Sequence, residues 1–290
     1  MNFKISTFLL TLLFVSTLQR EVAWDLLQPM EMSHNPMHDA SNIARAVQGI
    51  KVQSRIVGGF EARPNMFPYQ AALNINTPNG TYFCGGSVIS KRTILTAAHC
   101  AEGATDFVIL LGTNTLNAAT PGEMEVKTNT SIVHPDWNPD NLTNDIALVL
   151  LNEDITFSDQ IKPVTLESSS SQNDNIVNMT ARVSGWGKDS DAAIGITNKL
   201  RYTFVRTTDR STCKRYYGQF PPNDICVSGR TGLWLRGACS GDSGGPLTIN
   251  KIQVGIVSFG GLLCQAGIPG GYTRVAPYID FIMENSDYQE

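Results

Sequence analysis

The stretch Gly241-Asp242-Ser243-Gly244-Gly245-Pro246 decides how this 290-residue sequence is interpreted. Taken alone, a serine among glycines is consistent with an ordinary tight turn. A serine hydroxyl becomes an effective nucleophile only when a neighbouring base removes its proton. The interpretation therefore depends on whether the rest of the chain supplies such a base.

Two further segments supply a histidine and an aspartate. They are Thr96-Ala97-Ala98-His99-Cys100 and Asn144-Asp145-Ile146-Ala147-Leu148. Each has a simpler interpretation on its own, as a core histidine or a turn aspartate. Histidine suits a general base because its pKa of about 6.5 lies near working pH, and a buried carboxylate fixes the imidazole tautomer. The chain order His99, Asp145, Ser243 is that of chymotrypsin-type enzymes and predicts a catalytic triad.

A nucleophilic serine also needs donors for the negative oxygen that forms during attack. The backbone N–H groups of Gly241 and Ser243 are the candidates for this oxyanion hole. Glycine at 241 allows the backbone to turn its N–H inward without a Cβ clash.

Composition limits the function classes. Hydrophobic residues make up 42% of the chain, enough for a core, and the net charge of −4 gives no electrostatic reason to expect nucleic acid or an anionic membrane as partner. Six cysteines favour an oxidising compartment, and no Cys-x-x-Cys pair supports a zinc site. Their spacing alone leaves 15 pairings open. The cysteines are Cys84, Cys100, Cys213, Cys226, Cys239 and Cys264.

The N-terminal residues indicate export. Lys4 precedes an apolar run from Ile5 to Val15 that is too short to span a bilayer. We expect a signal peptide over residues 1–20, cleaved between Ser16 and Ala23, and a secreted, extracellular protein; the alternative is a buried N-terminal helix. Residues 21–55 are polar and weakly patterned, which predicts an exposed, flexible leader. Four glycosylation sequons start at Asn79, Asn129, Asn141 and Asn178.

From Ile56 onward, short apolar runs alternate with turn residues, which predicts an all-β barrel or sandwich. One helix is predicted near 276–284, where Val275, Ile279 and Ile282 recur at helical spacing. The predicted strands include Gln70–Ile75, Ser87–Ser90, Phe107–Leu111, Ile146–Leu151 and Val254–Ser258.

With these motifs in hand, residues 56 to about 286 resemble the chymotrypsin-fold serine proteases. Further matches are Arg55-Ile56-Val57-Gly58-Gly59, Cys84-Gly85-Gly86-Ser87, Ser184-Gly185-Trp186-Gly187 and Gly271-Tyr272-Thr273-Arg274-Val275. The resemblance implies two six-stranded antiparallel β-barrels with the triad between them, a C-terminal helix, and a protease domain over 56–290. It also implies disulfides Cys84–Cys100, Cys213–Cys226 and Cys239–Cys264.

The resemblance further implies a zymogen with an activation propeptide over 21–55. A trypsin-like protease would cut after Arg55, and the new amine of Ile56 would pair with Asp242. No cysteine lies in the leader, so a covalently held propeptide of the vertebrate type is not expected. Within the family, the three-disulfide pattern is most similar to the arthropod chymotrypsin and brachyurin (serine collagenase) group.

By the family pattern, the pocket for the substrate residue before the cleaved bond (P1) has Gly237 at its base. Ser258, Phe259, Gly260 and Gly270 would form its walls. Trypsins carry Asp where Gly237 stands, and brachyurins that accept basic residues carry Asp where Gly270 stands. Because this chain has glycine at both positions, a basic P1 residue would be buried unpaired, and we expect large apolar or aromatic P1 residues.

The expected partners are protein or peptide substrates, an activating protease and protein protease inhibitors, with a monomeric enzyme. We expect no metal and no cofactor, since Glu123 and Glu125 are the sole candidates for a calcium loop. Two alternatives are a catalytically silent homologue used for binding and a trypsin-specific cascade protease. The retained triad and activation site argue against the first, and the uncharged pocket base argues against the second.

Overall fold

The computed structural model describes residues 27–30 and 59–290. The predicted signal peptide, Arg55 and Ile56 lie outside the described residues. In this part of the chain, no helix has both the length and the apolarity needed to cross a bilayer.

The described strands are short and fall into two large sheets and one hairpin. In chain order they are β1 (Gln28–Pro29), β2 (Phe60–Glu61), β3 (Gln70–Thr77), β4 (Gly80–Val88), β5 (Thr93–Thr96), β6 (Asp106–Leu111), β7 (Met124–Thr128), β8 (Thr130–Val133), β9 (Ala147–Leu150), β10 (Thr165–Leu166), β11 (Thr180–Gly185), β12 (Arg201–Thr208), β13 (Asp224–Ser228), β14 (Arg230–Thr231), β15 (Trp234–Leu235), β16 (Pro246–Ile249), β17 (Ile252–Phe259) and β18 (Gly270–Arg274). The helices are α1 (Ala98–Ala101), α2 (Arg210–Tyr217) and α3 (Ile279–Glu284), with 3₁₀ turns at Ser169–Ser171, Cys264–Ala266 and Ala276–Tyr278.

The N-terminal sheet follows the order β7-β6-β3-β4-β5-β9-β8. Asn129 alone separates β7 from β8, so the sheet curls until its two ends are consecutive in the chain. Fully buried apolar side chains such as Leu73, Phe83, Ile94 and Ile109 fill its interior. The strands that carry them are buried along most of their length, β5 at every residue and β6 at all but Asp106.

The C-terminal sheet closes into a barrel of six strands. Its order is β17-β16-β11-β12-β13-β18, and an antiparallel pairing of β17 with β18 completes the ring. Val183, Val205, Val227 and Leu247 are buried inside it. The predicted all-β chymotrypsin fold is confirmed, with one addition: the two-residue strands β1 and β10 pair in parallel with β4 and β17.

The predicted C-terminal helix is confirmed as α3, preceded by the 3₁₀ turn at Ala276–Tyr278 and burying Ile279 and Ile282. Helix α2 was not predicted from the apolar periodicity of the sequence. This helix buries only Cys213 and Tyr217, one turn apart, and Gly218 at φ 73° ends it. Two apolar positions among polar residues give too weak a pattern for recognition.

The prediction of an exposed leader is wrong for residues 27–30. Pro29 is buried, Leu27 and Met30 pack against the core of the N-terminal sheet, and Gln28 alone is exposed. The physical reason is that β4 pairs with β5 at Ser87 and Val88, so that an extended segment can lie along β4 at Tyr82–Phe83. The Met30 N–H donates to the Phe83 carbonyl at 3.0 Å.

Candidate active site

His99 and Asp145 come from different parts of the N-terminal sheet and meet at its edge. His99 lies on the single-turn helix α1 after β5, and Asp145 lies on the loop before β9. Asp145 Oδ2 is 2.8 Å from His99 Nδ1, and Asp145 Oδ1 accepts the backbone N–H of His99 at 2.9 Å. One carboxylate therefore orients both the ring and the backbone of the histidine.

Asp145 is fully buried and stays ionised through its hydrogen bonds. Burial alone would raise the pKa of its carboxyl, but the charge and the hydrogen bonds of His99, together with the hydroxyl of Ser258, bring the pKa below its usual value. Ser258 Oγ donates to Asp145 Oδ2 at 2.6 Å. Thr273 of β18 donates to the Asp145 carbonyl at 3.0 Å, which ties this loop to the C-terminal barrel.

Ser243 lines the same cleft as His99 and comes from the C-terminal barrel. Within the described residues, His99 Nε2 is buried and has no hydrogen-bond partner. Hydrogen bonds of a general base often tighten only when substrate is bound. This unpaired nitrogen is the one that a general base would use.

The turn around Ser243 has two backbone N–H groups without a hydrogen-bond partner in the described part of the chain. Gly241 has φ 96° and Gly244 has φ 77°, a region of backbone conformation that favours glycine. The Asp242 N–H donates to the Cys239 carbonyl at 2.9 Å, whereas the N–H groups of Gly241 and Ser243 have no partner among the described residues. These are the two donors that the sequence predicted for an oxyanion hole.

Asp242 is buried beneath the turn. Its carboxylate accepts the N–H of Gly187 at 2.8 Å and that of Cys239 at 2.9 Å. A Cβ on Gly185 would lie 2.2 Å from Asp242 Oδ1, and one on Gly187 would lie within 2.7 Å of both oxygens. The Gly185-Trp186-Gly187 motif is therefore needed because the carboxylate lies directly against both glycines.

The three disulfides are Cys84–Cys100, Cys213–Cys226 and Cys239–Cys264, the pairs that the family resemblance implies. The first joins β4 to the helix that carries His99, and the third joins two walls of the cleft. Loops of this length give roughly 3 kcal/mol each in the chain-entropy model.

The cleft encloses a cavity of about 190 Å³ lined by all five predicted pocket residues, Gly237, Ser258, Phe259, Gly260 and Gly270. A Cβ on Gly237 or Gly260 would meet nothing within 4 Å, so both glycines face open space. Gly270 is more crowded, because a Cβ there would lie 3.3 Å from the Tyr272 ring. The Phe259 ring packs against Tyr217 at 5.3 Å between centroids.

Among the residues of the cleft that were not predicted from the sequence, Arg236 and Met30 matter most for function. Arg236 lines the cavity, and its Nε is buried with no hydrogen-bond partner in the described part of the chain. Met30 of the leader also lines it. The basic residue directly before Gly237 was visible in the sequence, but nothing there indicated on which side of the pocket it would lie.

All four asparagines of the predicted sequons are exposed. Asn178 Oδ1 accepts from Arg206 at 2.7 Å, and Asn141 Oδ1 accepts from Thr143 Oγ1 at 2.8 Å.

Comparison with known proteins identifies the class. The family model described as Trypsin matches residues 56–282. Brachyurin of Leptuca pugilator is 39% identical over 228 residues, which cover 78% of this chain and 96% of that protein. Collagenase of Hypoderma lineatum is 37% identical over 241 residues, 81% of this chain and 88% of that protein. The chain belongs to the trypsin family of serine proteases and is a serine endopeptidase, a hydrolase of peptide bonds.

Within that family, the comparisons favour the arthropod branch. The solved structure of HL collagenase superposes with a TM-score of 0.71 at 34% identity, covering 81% of this chain and all of that one. Brachyurin, collagenase and a chymotrypsin are thus among the proteins to which this chain is similar.

Proposed function

We propose that His99, Asp145 and Ser243 are the catalytic triad of a secreted zymogen that prefers large apolar or aromatic P1 residues. The observation that carries this proposal is the buried Asp145–His99 pair at 2.8 Å, which lines one cleft with Ser243. The free Nε2 of His99 and the free N–H groups of the serine turn support it. The retained site residues give no support to the silent alternative.

The proposed reaction has two halves. Ser243 Oγ attacks the substrate carbonyl carbon as His99 Nε2 takes the hydroxyl proton, while Nδ1–H donates to Asp145. The N–H groups of Gly241 and Ser243 hold the oxyanion. His99 then gives the proton to the leaving amine, the C–N bond breaks, and water hydrolyses the acyl-enzyme by the same route.

The lining of the cleft supports the apolar P1 preference. Gly237 and Gly260 leave the pocket open for a large side chain. None of the described residues that line the cavity is an aspartate or glutamate, and Arg236 adds a positive charge. A P1 lysine or arginine would therefore be buried without a counterion and near a like charge.

Substrate profiling of the trypsin-activated enzyme tests this preference. Phenylalanyl, tyrosyl or leucyl P1 substrates should exceed the arginyl substrate by at least about a hundredfold in kcat/KM, the scale of one unpaired charge. The added trypsin is first removed with a trypsin-specific inhibitor. Gly237→Asp should give only weak arginyl activity, since neighbouring loops also position the substrate. A wild-type preference for Arg or Lys would refute the proposed pocket.

We infer export and activation from the same features. The proposed mature chain is 56–290, after removal of a signal peptide over 1–20 and a propeptide over 21–55. The three disulfides support an extracellular enzyme. Cleavage after Arg55 by a trypsin-like protease would free the Ile56 amine to pair with Asp242, and protein inhibitors would bind the mature monomer.

The pH dependence of stability tests the environment of Asp242. Burial raises the pKa of its carboxyl from 3.8 to about 6, despite the N–H groups of Cys239 and Gly187. A carboxyl whose pKa is raised in the folded state stabilises that state as long as it is protonated. This stabilisation is complete below the unfolded pKa of 3.8 and is lost as pH rises through about 6. We expect ionisation of this group to lower the free energy of unfolding of the uncleaved protein by ~2 kcal/mol between pH 4 and pH 7.

Asp242→Asn is the variant that cannot ionise: its carbonyl oxygen can accept one of the two N–H groups, and its NH2 cannot accept the other, a loss that is the same at both pH values. Urea unfolding at both pH values should show the variant gaining stability relative to wild type at pH 7 and not at pH 4. An equal difference at the two pH values would contradict the assignment.

A further inference from the structure

The leader segment Leu27–Met30 lies against the proposed catalytic machinery. It pairs in parallel with β4, with Gln28 opposite Tyr82 and Pro29 opposite Phe83. Pro29 is buried, and Met30 lines the cleft together with His99 and Ser243. A leader segment is therefore part of the wall of the cleft.

The segment also lies beside the serine turn. The pocket walls at Gly237–Ser240 and Ser258–Gly260 flank this turn on one side. On another side, the Gly241 backbone faces Ile196, Gly187 and Pro29, and Pro29 Cβ lies 3.5 Å from where a Cβ of Gly241 would be. Ser243 O accepts the N–H of Gly85 at 2.7 Å, so β4 runs directly beside the turn.

We propose that the β4 edge at Tyr82–Phe83, with the turn at Gly241, is a docking surface for the leader, and that residues 27–30 inhibit the enzyme from it. Because Met30 lines the cleft together with His99 and Ser243, the bound leader occupies space that a substrate chain reaching those two residues would need. The contacts are those of strand addition: a backbone hydrogen bond to Phe83, the buried Pro29 ring and the Met30 side chain. This inference rests on the proposed site and adds a second role for the leader.

The length of the leader allows docking and activation to be independent. About 25 residues separate Met30 from Arg55, which span up to roughly 80 Å when extended. An activator can thus cut after Arg55 while residues 27–30 remain bound. Because no cysteine tethers the leader, the cut segment stays bound only through these contacts and dissociates on dilution.

A synthetic peptide of residues 24–33 tests the proposal on the trypsin-cleaved, leader-free enzyme. We expect it to inhibit hydrolysis of a peptide substrate that extends past the cleaved bond and to remain intact. Methylating the Met30 nitrogen removes the hydrogen bond to Phe83 and should raise Ki at least about tenfold. Met30→Leu, which keeps the N–H and the apolar bulk, should change Ki less than threefold.

Binding is measured separately from catalysis by fluorescence anisotropy, with labelled peptides added to trypsin-cleaved Ser243→Ala protein. Tenfold weaker binding of the methylated peptide supports the docking surface. If the cleaved wild-type enzyme then hydrolyses no substrate, that result counts against the proposed function and not against the docking surface. Equal binding of the methylated and unmethylated peptides would overturn the inference. So would hydrolysis of the peptide at the rate of an ordinary substrate, since the leader would then be a substrate and not an inhibitor.

Discussion

Ser243→Ala is expected to lower kcat/KM for peptide hydrolysis by about 10⁵- to 10⁶-fold in the trypsin-cleaved protein. The variant loses the only atom that the proposed mechanism uses to form the acyl-enzyme. The fold should be unaffected, because the turn is held by backbone bonds, such as Gly85 N–H to Ser243 O and Gly244 N–H to Val257 O. The remaining activity would come from substrate binding and the oxyanion donors.

Ser240→Ala is the matched control for this substitution. Ser240 lines the same cleft three residues earlier and has no part in the proposed chemistry. Its replacement should change kcat/KM by less than about tenfold, the scale of a lost peripheral contact. Peptide-hydrolysis assays compare kcat/KM of the two variants, and circular dichroism checks that both are folded. Ser243→Ala protein that keeps even a tenth of wild-type activity, after trypsin carry-over is excluded, would contradict the assignment.

Arg55→Gln is expected to keep the protein inactive when trypsin is added, whereas the wild-type protein gains at least about 10²- to 10³-fold in kcat/KM. That factor is the cost of misplacing one oxyanion donor. Before cleavage, no Ile56 amine exists to pair with Asp242, which is buried directly under the Gly241–Ser243 turn. The uncharged pocket base at Gly237 should also make self-activation after Arg55 slow or absent.

Lys51→Gln is the matched control, because it removes another trypsin site four residues away and should still activate normally. Asp242→Asn should be cut after Arg55 at the normal rate and remain inactive, which separates cleavage from the conformational response. N-terminal sequencing of the active form should read Ile-Val-Gly-Gly. Full activity of Arg55→Gln protein without a new Ile56 terminus would show the mechanism to be wrong.

The sequence alone predicted much of the architecture because the motifs constrain each other. Gly185 and Gly187 are explained by the carboxylate of Asp242, and Gly244 by Thr96 Oγ1 and the Gly85 carbonyl, which a Cβ would approach to 2.2 and 2.5 Å. Such close approaches leave glycine as the one residue that fits, so the motif can be recognised in the sequence.

What the sequence could not predict depends on tertiary contacts. The short helix α2 has only two buried residues, so its periodicity is too weak to detect. The docking of Pro29 depends on an open edge of β4 more than fifty residues later in the chain. The sequence shows a basic residue at position 236, but its place in the cleft depends on the path of the loop, which the sequence alone does not indicate.

Covalent labelling tests the central claim most directly. The trypsin-cleaved protein is treated with an organophosphate that reacts with activated serines, and the modified residue is located by peptide mass spectrometry, with the uncleaved protein as control. The account predicts one label, on Ser243, that appears in parallel with the new Ile56 terminus and is lost in His99→Ala protein. A label on any other residue, or equal labelling of Ser243 when His99 is absent, would contradict it.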